Sequence, residues 1–293
     1  MLRILLAEAI DYAGLFPPAG LDMRTAARNY AEYRGGDDAW ALGRFVVPAS
    51  RLRELERAAE DLLAGGGAGR PWRISALAGA APADVAEVEA FNDRQAASGA
   101  AVDAIELTAR SPDEVTRAAE VVPRSLETFL EIPVDDDPRE LLGAIATAGV
   151  HAKVRTGGVA PDAFPAPAQL ARFIACCAAA RVAFKATAGL HHPLRGEYRL
   201  TYDSRSACAT MFGFLNVLLA AALARGGASE RDLVAALEER SAAAIEAEGE
   251  GLVWRGRRLS ASSLGGARRD LVRSFGSCSF REPLDDLEEL GLL

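Results

Sequence analysis

The sequences HAKVRTGG, residues 151–158, and AFKATAGLHHP, residues 183–193, decide how we interpret the rest of the chain. Each is a short strand-like run with one lysine near its middle and a glycine near its end. The apolar segment QLARFIACCAAAR, which lies between them, has the pattern of a helix. A strand, a helix and a second strand form a βαβ unit, so this stretch predicts two parallel strands that each carry one lysine.

The same alternation of strand and helix extends over most of the chain. Strand-like runs begin near residues 44, 72, 102, 127, 151, 182 and 212, and a first run lies near residues 9–13. Their spacing is that of a βα unit. We therefore expect an α/β protein with a closed (β/α)₈ TIM barrel over residues 1–227, in which FGFLN at 212–216 is the eighth strand. An open doubly wound sheet is the alternative.

Residues 228–293 are predicted to form a C-terminal extension that packs on the barrel within a single structural domain. Its first part, residues 230–248, has a helical pattern, and GLVWRGRRLSA indicates a hairpin around Arg255 and Gly256. The chain then contains SFGSCSF, which we interpret as a turn or an anion-binding nest, and ends in a short amphipathic helix. The extension would cap the barrel or form a homodimer contact.

Composition excludes several classes of protein. The net charge is −8 and no basic run is present, so we expect no nucleic-acid partner. The longest apolar run, residues 207–224, is interrupted by Gly213 and Asn216, which favours a buried segment over a membrane span. The start of the chain lacks the uninterrupted apolar core of a secretory signal. Four cysteines without zinc-site spacing are typical of reduced thiols, so we expect a cytoplasmic protein.

Lysine is rare in this chain. Of its 33 basic residues, only Lys153 and Lys185 are lysines, and the other 31 are arginines. A guanidinium serves a structural ion pair at least as well as an ammonium, but only an amine can lose its proton and act as a nucleophile or a base. The retention of lysine at two strand positions therefore indicates lysine chemistry.

Four consecutive predicted strands carry charged side chains at inward positions near their carboxyl ends. A period of two along each strand selects Glu106, Glu131, Lys153 with Arg155, and Lys185 with Thr187. Buried charges are costly unless they are paired, and the active sites of α/β barrels lie at this end. The charges therefore predict a site, with a purely structural ion-pair network as the alternative.

Two neighbouring lysines can produce a nucleophilic amine. Ammonium groups about 5 Å apart repel by roughly 3 kcal/mol at an effective dielectric constant near 20, enough to lower the pKa of one lysine by about two units. Such an amine attacks a ketone or aldehyde and forms an iminium, which withdraws electrons from a neighbouring C–C or C–H bond. Glu106 or Glu131 would move protons as the general acid and base.

The two lysine strands resemble a known group of enzymes. A strand with Lys-x-x-Thr-Gly, a helix, and a strand with Lys-Ala-x-x-Gly are similar to strands six and seven of the class I deoxyribose-phosphate aldolase-like barrels. The resemblance implies that Lys153 forms the Schiff base and that Lys185 tunes it. This chain departs from the group at Arg155, where a small polar residue is expected, and at LHHPLRGEY. The group's catalytic aspartate has no assured counterpart here.

The whole chain, with LFPPAG, KVRTGG, KATAGLHHP, GFLN and FGSCSF, resembles an uncharacterised bacterial family of TIM barrels. That resemblance implies the fold and no activity.

Further residues are candidates for binding a small anionic carbonyl substrate. Arginine forks and glycine-rich turns bind carboxylates and phosphates, and loop histidines act as acids, bases or anion ligands. The adjacent histidines should point in different directions, which makes them poor joint ligands for one metal. Asp11 and Tyr12 are candidates for the rim. The substrate-binding candidates are Arg155, Gly157, Gly158, Thr187, Gly189, His191, His192 and Arg195.

The hypothesis from sequence is a class I aldolase-type lyase with Lys153, Lys185, Glu106 and Glu131 as catalytic residues and no metal or other cofactor. One alternative is a Mg²⁺-dependent enolate-type lyase or isomerase in which Glu106 and Glu131 bind the metal. Another is a non-catalytic barrel that binds an anionic metabolite.

Overall fold

The protein forms a closed barrel of eight parallel strands surrounded by helices, as predicted. The computed structural model describes residues 2–64, 71–79, 82–248 and 251–293. The barrel strands follow one another in chain order around the ring, except that the last position is taken by the final strand of the chain.

The strands are β1 Ile10–Tyr12, β2 Leu42–Pro48, β3 Trp72–Leu77, β4 Ala100–Thr108, β5 Glu127–Glu131, β6 His151–Arg155, β7 Phe184–Thr187, β8 Gly196–Arg199, β9 Cys208–Met211, β10 Ile245–Glu248, β11 Gly251–Trp254, β12 Arg257–Leu259 and β13 Val272–Ser277. The helices are α1 Leu2–Leu6, α2 Met23–Gly35, α3 Leu52–Ala58, α4 Glu60–Ala64, α5 Pro82–Gln95, α6 Pro112–Val121, α7 Arg139–Ala148, α8 Pro167–Ala180, α9 Phe214–Arg225, α10 Glu230–Leu237, α11 Ala261–Asp270 and α12 Arg281–Glu289.

The helix boundaries have local causes in the sequence. The Ser111 side chain accepts a hydrogen bond from the backbone N–H of Glu114, and Pro112 occupies the first turn, where its missing N–H costs nothing. Helix α7 ends at Gly149, whose φ of 70° lies in the left-handed region that glycine adopts without strain. These stops and starts set the alternation that the sequence pattern predicts.

The eighth barrel strand is β13, not the predicted FGFLN. β13 pairs in parallel with β7 on one side and with β1 on the other. In the FGFLN segment, Gly213 is the N-cap residue of α9, and a Cβ atom there would lie 2.2 Å from the carbonyl oxygen of Pro193. The side chain of Asn216 donates to the carbonyls of Ala236 and Glu239, which fixes the first turn of α9 against α10.

The predicted division into a barrel at 1–227 and an extension at 228–293 is therefore wrong, because the barrel closes only at residues 272–277. The segment SFGSCSF, predicted to be a turn or an anion-binding nest, begins with the last four residues of β13. The predicted helix over 230–248 ends at Leu237 and is followed by β10. The Glu239 carboxylate explains this change, since it accepts hydrogen bonds from Trp254 and Arg255 and ties the chain to the adjacent hairpin.

Two small sheets lie outside the barrel. β10, β11 and β12 form an antiparallel sheet between α10 and α11 in sequence, which confirms the predicted hairpin around Arg255 and Gly256. β8 and β9 form a second hairpin between β7 and α9, so that it follows the carboxyl end of a barrel strand. That position places β8 and β9 beside the barrel mouth.

One helical stretch, Pro161–Ala180, is long and apolar enough to cross a membrane by length and composition alone. Its second part is α8, whose Leu170, Phe173 and Ile174 are fully buried in the hydrophobic core. The stretch is thus accounted for as a barrel helix, and it does not by itself indicate a membrane protein.

Candidate active site

Five charged side chains cross the lumen of the barrel in a chain of alternating charge. Lys185 Nζ lies 2.6 Å from Asp11 Oδ2 and 2.7 Å from Glu106 Oε1. Lys153 Nζ lies 2.9 Å from Glu106 Oε2 and 2.9 Å from Glu131 Oε2. The residues belong to β1, β7, β4, β6 and β5, and several of the bonded pairs are on strands that are not neighbours. The contacts therefore pass through the barrel interior.

Strand register explains why the two lysines meet the same carboxylate. Lys153 and Lys185 are direct partners in the β6–β7 pairing, and Glu131 is the partner of Lys153 in the β5–β6 pairing. Glu106 reaches both lysines from β4, on the other side of the lumen from β7. The predicted convergence of these four side chains is what the structure shows.

Further polar groups hold the carboxylates in place. The Ser75 hydroxyl donates to Glu106 Oε1 at 2.7 Å, and the Ser274 hydroxyl donates to Asp11 Oδ2 at 2.6 Å. The backbone N–H of Arg44 donates to Asp11 Oδ1 at 2.8 Å. Gly43 leaves room for this arrangement, because a Cβ atom there would lie 2.4 Å from Asp11 Oδ1. The network is thus fixed from several strands, as buried polar groups require.

The charges stabilise one another. Burial alone would raise the pKa of Glu106, but the two ammonium groups hold it well below its usual range. Burial alone would lower the pKa of Lys185, but Asp11 and Glu106 raise it above the ordinary lysine value. Glu106 thus lies between the two ammonium groups and contacts each of them through a different oxygen.

The network lies beneath a cavity of about 620 Å³ at the carboxyl ends of the strands. Glu106 and Lys153 line this cavity, whereas Lys185 is fully buried beneath it. Lys153 is 4 % exposed, enough to mark it as the lysine that an entering molecule reaches. Lys153 thus lines the cavity, whereas Lys185 lies below it and contacts Asp11 and Glu106.

The cavity wall carries two arginine side chains that form no ion pair of 4.0 Å or less with a carboxylate of the described residues. Arg155 is exposed, and in residues 2–64, 71–79, 82–248 and 251–293 it has no hydrogen-bond or ion-pair partner. Arg199 donates to the backbone carbonyls of Ser204 and Ser206. A guanidinium that lines a cavity without a partner attracts an anionic group.

Both predicted histidines line the cavity, and each contacts a carboxylate of α12. His191 Nδ1 lies 3.2 Å from Glu282 Oε2, and His192 Nδ1 lies 2.6 Å from Asp286 Oδ2. The ring of His192 also stacks on Tyr198 of β8, with 3.6 Å between the ring centroids. The terminal helix and the β8–β9 hairpin are thereby attached to the mouth of the barrel.

The remaining predicted residues divide into two groups. Thr187, Gly158 and Gly189 line the cavity as predicted. Arg195 does not, because its guanidinium lies 4.7 Å from the ring centroid of Phe212 and its backbone N–H donates to Asn216. Gly157 is also absent from the lining: a Cβ atom there would lie 2.4 Å from the ring of Phe164, which indicates a packing role.

Asp11 is predicted from the sequence to lie at the rim, but its carboxylate is buried in the lumen. The available signal for this position is an acidic residue inside the apolar run AIDYA. Tyr202 and Glu282 are not among the residues predicted for the site, and Cys278 is predicted only as a reduced thiol within a turn or nest, yet all three line the cavity. Nothing in their spacing indicates that they lie near His191.

The donor atoms do not form an evident metal site. Glu106 and Glu131 each direct an Oε2 atom at Lys153 Nζ, so an ammonium occupies the point where their carboxylates converge. Across the described residues, no group of three or more histidine, cysteine, aspartate and glutamate side chains is arranged to hold a metal ion. The residues present fit a paired lysine better than a Mg²⁺ ion, which prefers several oxygen ligands.

A comparison with protein-family models and a comparison with curated proteins each found no match. The interpretation of the site therefore depends on its geometry.

Proposed function

We propose that this protein is a lyase of the class I aldolase type, in which Lys153 forms a Schiff base with a small anionic carbonyl compound. The observation that carries the proposal is the position of Lys153: its side chain lines a cavity of about 620 Å³, and its Nζ contacts two carboxylates, each at 2.9 Å. The ammonium form is not a nucleophile, so a neighbouring base must take a proton from it before the nitrogen can attack a carbonyl carbon.

The carboxylates supply the proton transfers that this reaction needs. Glu106 is held ionised by two lysines, whereas Glu131 contacts Lys153 and has a side chain that is 20 % exposed. Glu131 is therefore the group that takes a proton from Lys153 and returns it to the carbonyl oxygen. The nitrogen then bonds to the carbonyl carbon and the oxygen leaves as water with two protons of the former ammonium. The third stays on the iminium nitrogen.

The wall of the cavity supports the choice of an anionic substrate. Arg155 follows Lys153 by two residues on β6, so both side chains project to the same side of the strand. Both line the cavity with Arg199, and Arg155 has no partner among the described residues. A carboxylate or phosphate bound there would sit within the same cavity as the amine.

Reductive trapping tests this proposal. The protein is incubated with a panel of aldehydes, keto acids and sugar phosphates in the presence of cyanoborohydride, and adducts are detected by intact mass and located by peptide mapping. Because the chain contains only two lysines, the assignment is direct. We expect an adduct on Lys153 with at least one member of the panel and none in a Lys153→Arg variant, which keeps the charge. An Arg155→Gln variant should still form the adduct, with weaker dependence on the anionic group.

Failure of the wild-type protein to form an adduct on Lys153 with any compound that it converts would overturn the proposal. Two other functions predicted from sequence have less support. A Mg²⁺-dependent enolate mechanism needs Lys153 to vacate the point between Glu106 and Glu131. A barrel that only binds a metabolite would not explain why Lys153, which lines the cavity, contacts two carboxylates.

A further inference from the structure

A second cluster of reactive side chains lines the cavity and takes no part in the lysine chemistry. Cys278 Sγ lies 3.8 Å from Nδ1 and 3.9 Å from Nε2 of His191. His191 Nδ1 in turn lies 3.2 Å from Glu282 Oε2. A thiol next to an imidazole that is held by a carboxylate has the composition of a nucleophile, a base and an orienting group.

The fold brings these residues together from distant parts of the chain. Cys278 follows β13 and His191 follows β7, and these two strands are neighbours in the barrel. Glu282 lies in the first turn of α12, where the Ser279 hydroxyl accepts a hydrogen bond from its backbone N–H at 3.1 Å. The motifs GLHHP and FGSCSF, which have no role in the proposed lysine mechanism, thus meet at one point.

The charges around the imidazole favour its protonated form. Burial opposes the charged ring, but the hydrogen bonds with Cys278 and Glu282 raise the pKa of His191 to about 9. Burial alone would raise the pKa of Glu282, but its contacts with His191 and then with His192 hold it below its usual range. An imidazolium that lies beside a thiol stabilises the thiolate, the form that reacts.

The remaining titratable neighbours carry a hydroxyl. Tyr202, from the loop between β8 and β9, has its hydroxyl 3.5 Å from Cys278 Sγ and 3.1 Å from Glu282 Oε2. Burial raises the pKa of Tyr202 above its usual range. Burial also raises the pKa of Tyr12, which interacts with Cys278 as well, to about 12. Both phenols are therefore neutral at physiological pH and add no anionic charge beside the thiol.

We propose that Cys278, His191 and Glu282 form a second nucleophilic site in this cavity, one that binds an aldehyde reversibly as a thiohemiacetal. In this site the Cys278 thiolate lies beside the His191 imidazolium, and the thiolate sulfur bonds to the aldehyde carbon. The carbonyl π bond breaks, and the oxygen takes one proton from the His191 imidazolium, which becomes neutral. No oxidant or reductant is needed, and the reverse reaction releases the aldehyde. The site does not depend on Schiff-base formation at Lys153.

The other cysteines provide controls within the same molecule. Cys208 is exposed on β9, whereas Cys177 is fully buried and burial raises its pKa well above the ordinary value. Cleavage after arginine places Cys278 in residues 274–281, Cys208 in residues 206–225 and the pair Cys176 and Cys177 in residues 173–181. Alkylation at each position can therefore be measured separately by mass spectrometry.

The experiment measures the rate of iodoacetamide alkylation at about pH 6.5, where an ordinary thiol is only about 1 % ionised. We expect Cys278 to react faster than the more exposed Cys208. A His191→Gln variant should lower the rate at Cys278 by about tenfold and leave Cys208 unchanged, because the imidazolium no longer stabilises the thiolate. A Glu282→Gln variant should lower it by less. Circular dichroism confirms that each variant is folded.

Protection by glycolaldehyde tests the ligand class. In a Lys153→Met variant, which cannot form a Schiff base at that position, glycolaldehyde should slow alkylation of Cys278 and not that of Cys208. This result separates the site from the lysine chemistry, since it is expected whether or not Lys153 forms an adduct. Slower alkylation of Cys278 than of Cys208, with no effect of His191→Gln, would show an ordinary packed thiol. Fast alkylation without protection would overturn the aldehyde site.

Discussion

Two ion-pair networks lie at different levels along the axis of this barrel. The cations are arginines in one network and lysines in the other. Near the amino ends of the strands, Arg44 contacts Asp103 and Glu127, each at 2.7 Å, and Arg73 contacts Asp103 at 2.8 Å. Nearer the carboxyl ends, both cations are lysines. Both networks pair cations with carboxylates, so the need for an ion pair does not by itself explain the choice of lysine.

The cations of the two networks differ in the contacts that they make. Arg44 contacts both oxygens of Asp103 through Nε and Nη2, a bidentate geometry that a single ammonium cannot reproduce. The lysine network borders the cavity, where a cation that can release a proton has a chemical use. In this arginine-rich chain, arginine thus forms the network near the amino ends of the strands, and lysine is found where we propose the reaction takes place.

Removing the central carboxylate should produce the largest difference between the two networks. Glu106→Gln leaves the fully buried Lys185 with only Asp11 as a charged partner, and we expect the free energy of unfolding to fall by about 3–5 kcal/mol, as for a broken buried ion pair. The matched change in the other network, Asp103→Asn, should cost about 1 kcal/mol or less, since that side chain is 34 % exposed. Urea denaturation measures both. Equal losses would show that the networks are energetically alike.

A fall in pH should produce a smaller difference in stability between the two networks. The folded-state pKa of Glu106 lies below its unfolded value because Lys153 and Lys185 outweigh the cost of burial. Its contribution to stability is thus present above the unfolded pKa, about 4.3, and is lost as the pH falls towards the folded pKa. We expect a slope of up to about 1.4 kcal/mol per pH unit below pH 4.3 from this one group.

Urea denaturation at a series of pH values measures this slope. The Glu106→Gln variant should show a flatter acid dependence than the wild type, while Asp103→Asn should retain most of it. A wild-type slope that survives in Glu106→Gln would assign the acid sensitivity to other carboxylates.

The smallest effect should come from exchanging the cation of the structural network. Arg44→Lys keeps the charge but loses the fork, so we expect a loss of about 1 kcal/mol in the free energy of unfolding. Reductive trapping at Lys153 should be unchanged, because Arg44 does not line the cavity that holds this amine. A loss of trapping in Arg44→Lys would show that the amino-terminal network also positions the reactive lysine.

The sequence predicts much of the barrel because six of its strands, β2 to β7, are apolar runs that alternate with capped helices. The last barrel strand, β13, is difficult to predict from the sequence for a physical reason. VRSFGS contains two serines and a glycine, which have low strand propensity, whereas Phe212 and Phe214 made FGFLN the more convincing strand. Ser274 is in the strand because its hydroxyl bonds to Asp11, a contact that no local pattern reveals.

The residues of the candidate site likewise include some that the sequence predicts and some that it does not. Charges in apolar strands identified Glu106, Glu131, Lys153 and Lys185, because an unpaired charge in that setting is costly. The role of Asp11 depends on a partner 174 residues away, and the contact of Cys278 with His191 depends on β13 being beside β7. Because FGFLN has the stronger strand pattern, the sequence predicts the eighth strand there and gives no reason to expect the thiol beside the imidazole.

Closure of the ring by β1 and β13 has a consequence for how the protein folds. Ile10 pairs with Phe275 and Asp11 with Gly276, so the last seam of the barrel joins the two most distant strands in the chain. Contacts of such high sequence separation form late and slow folding, because the entropy of a long loop is lost before they contribute. Until this seam forms, Lys185 lacks Asp11 and Cys278 lacks its place beside His191. During synthesis the cavity can be completed only after residue 278 has been added, so both proposed nucleophiles reach their final surroundings only when nearly the whole chain is present.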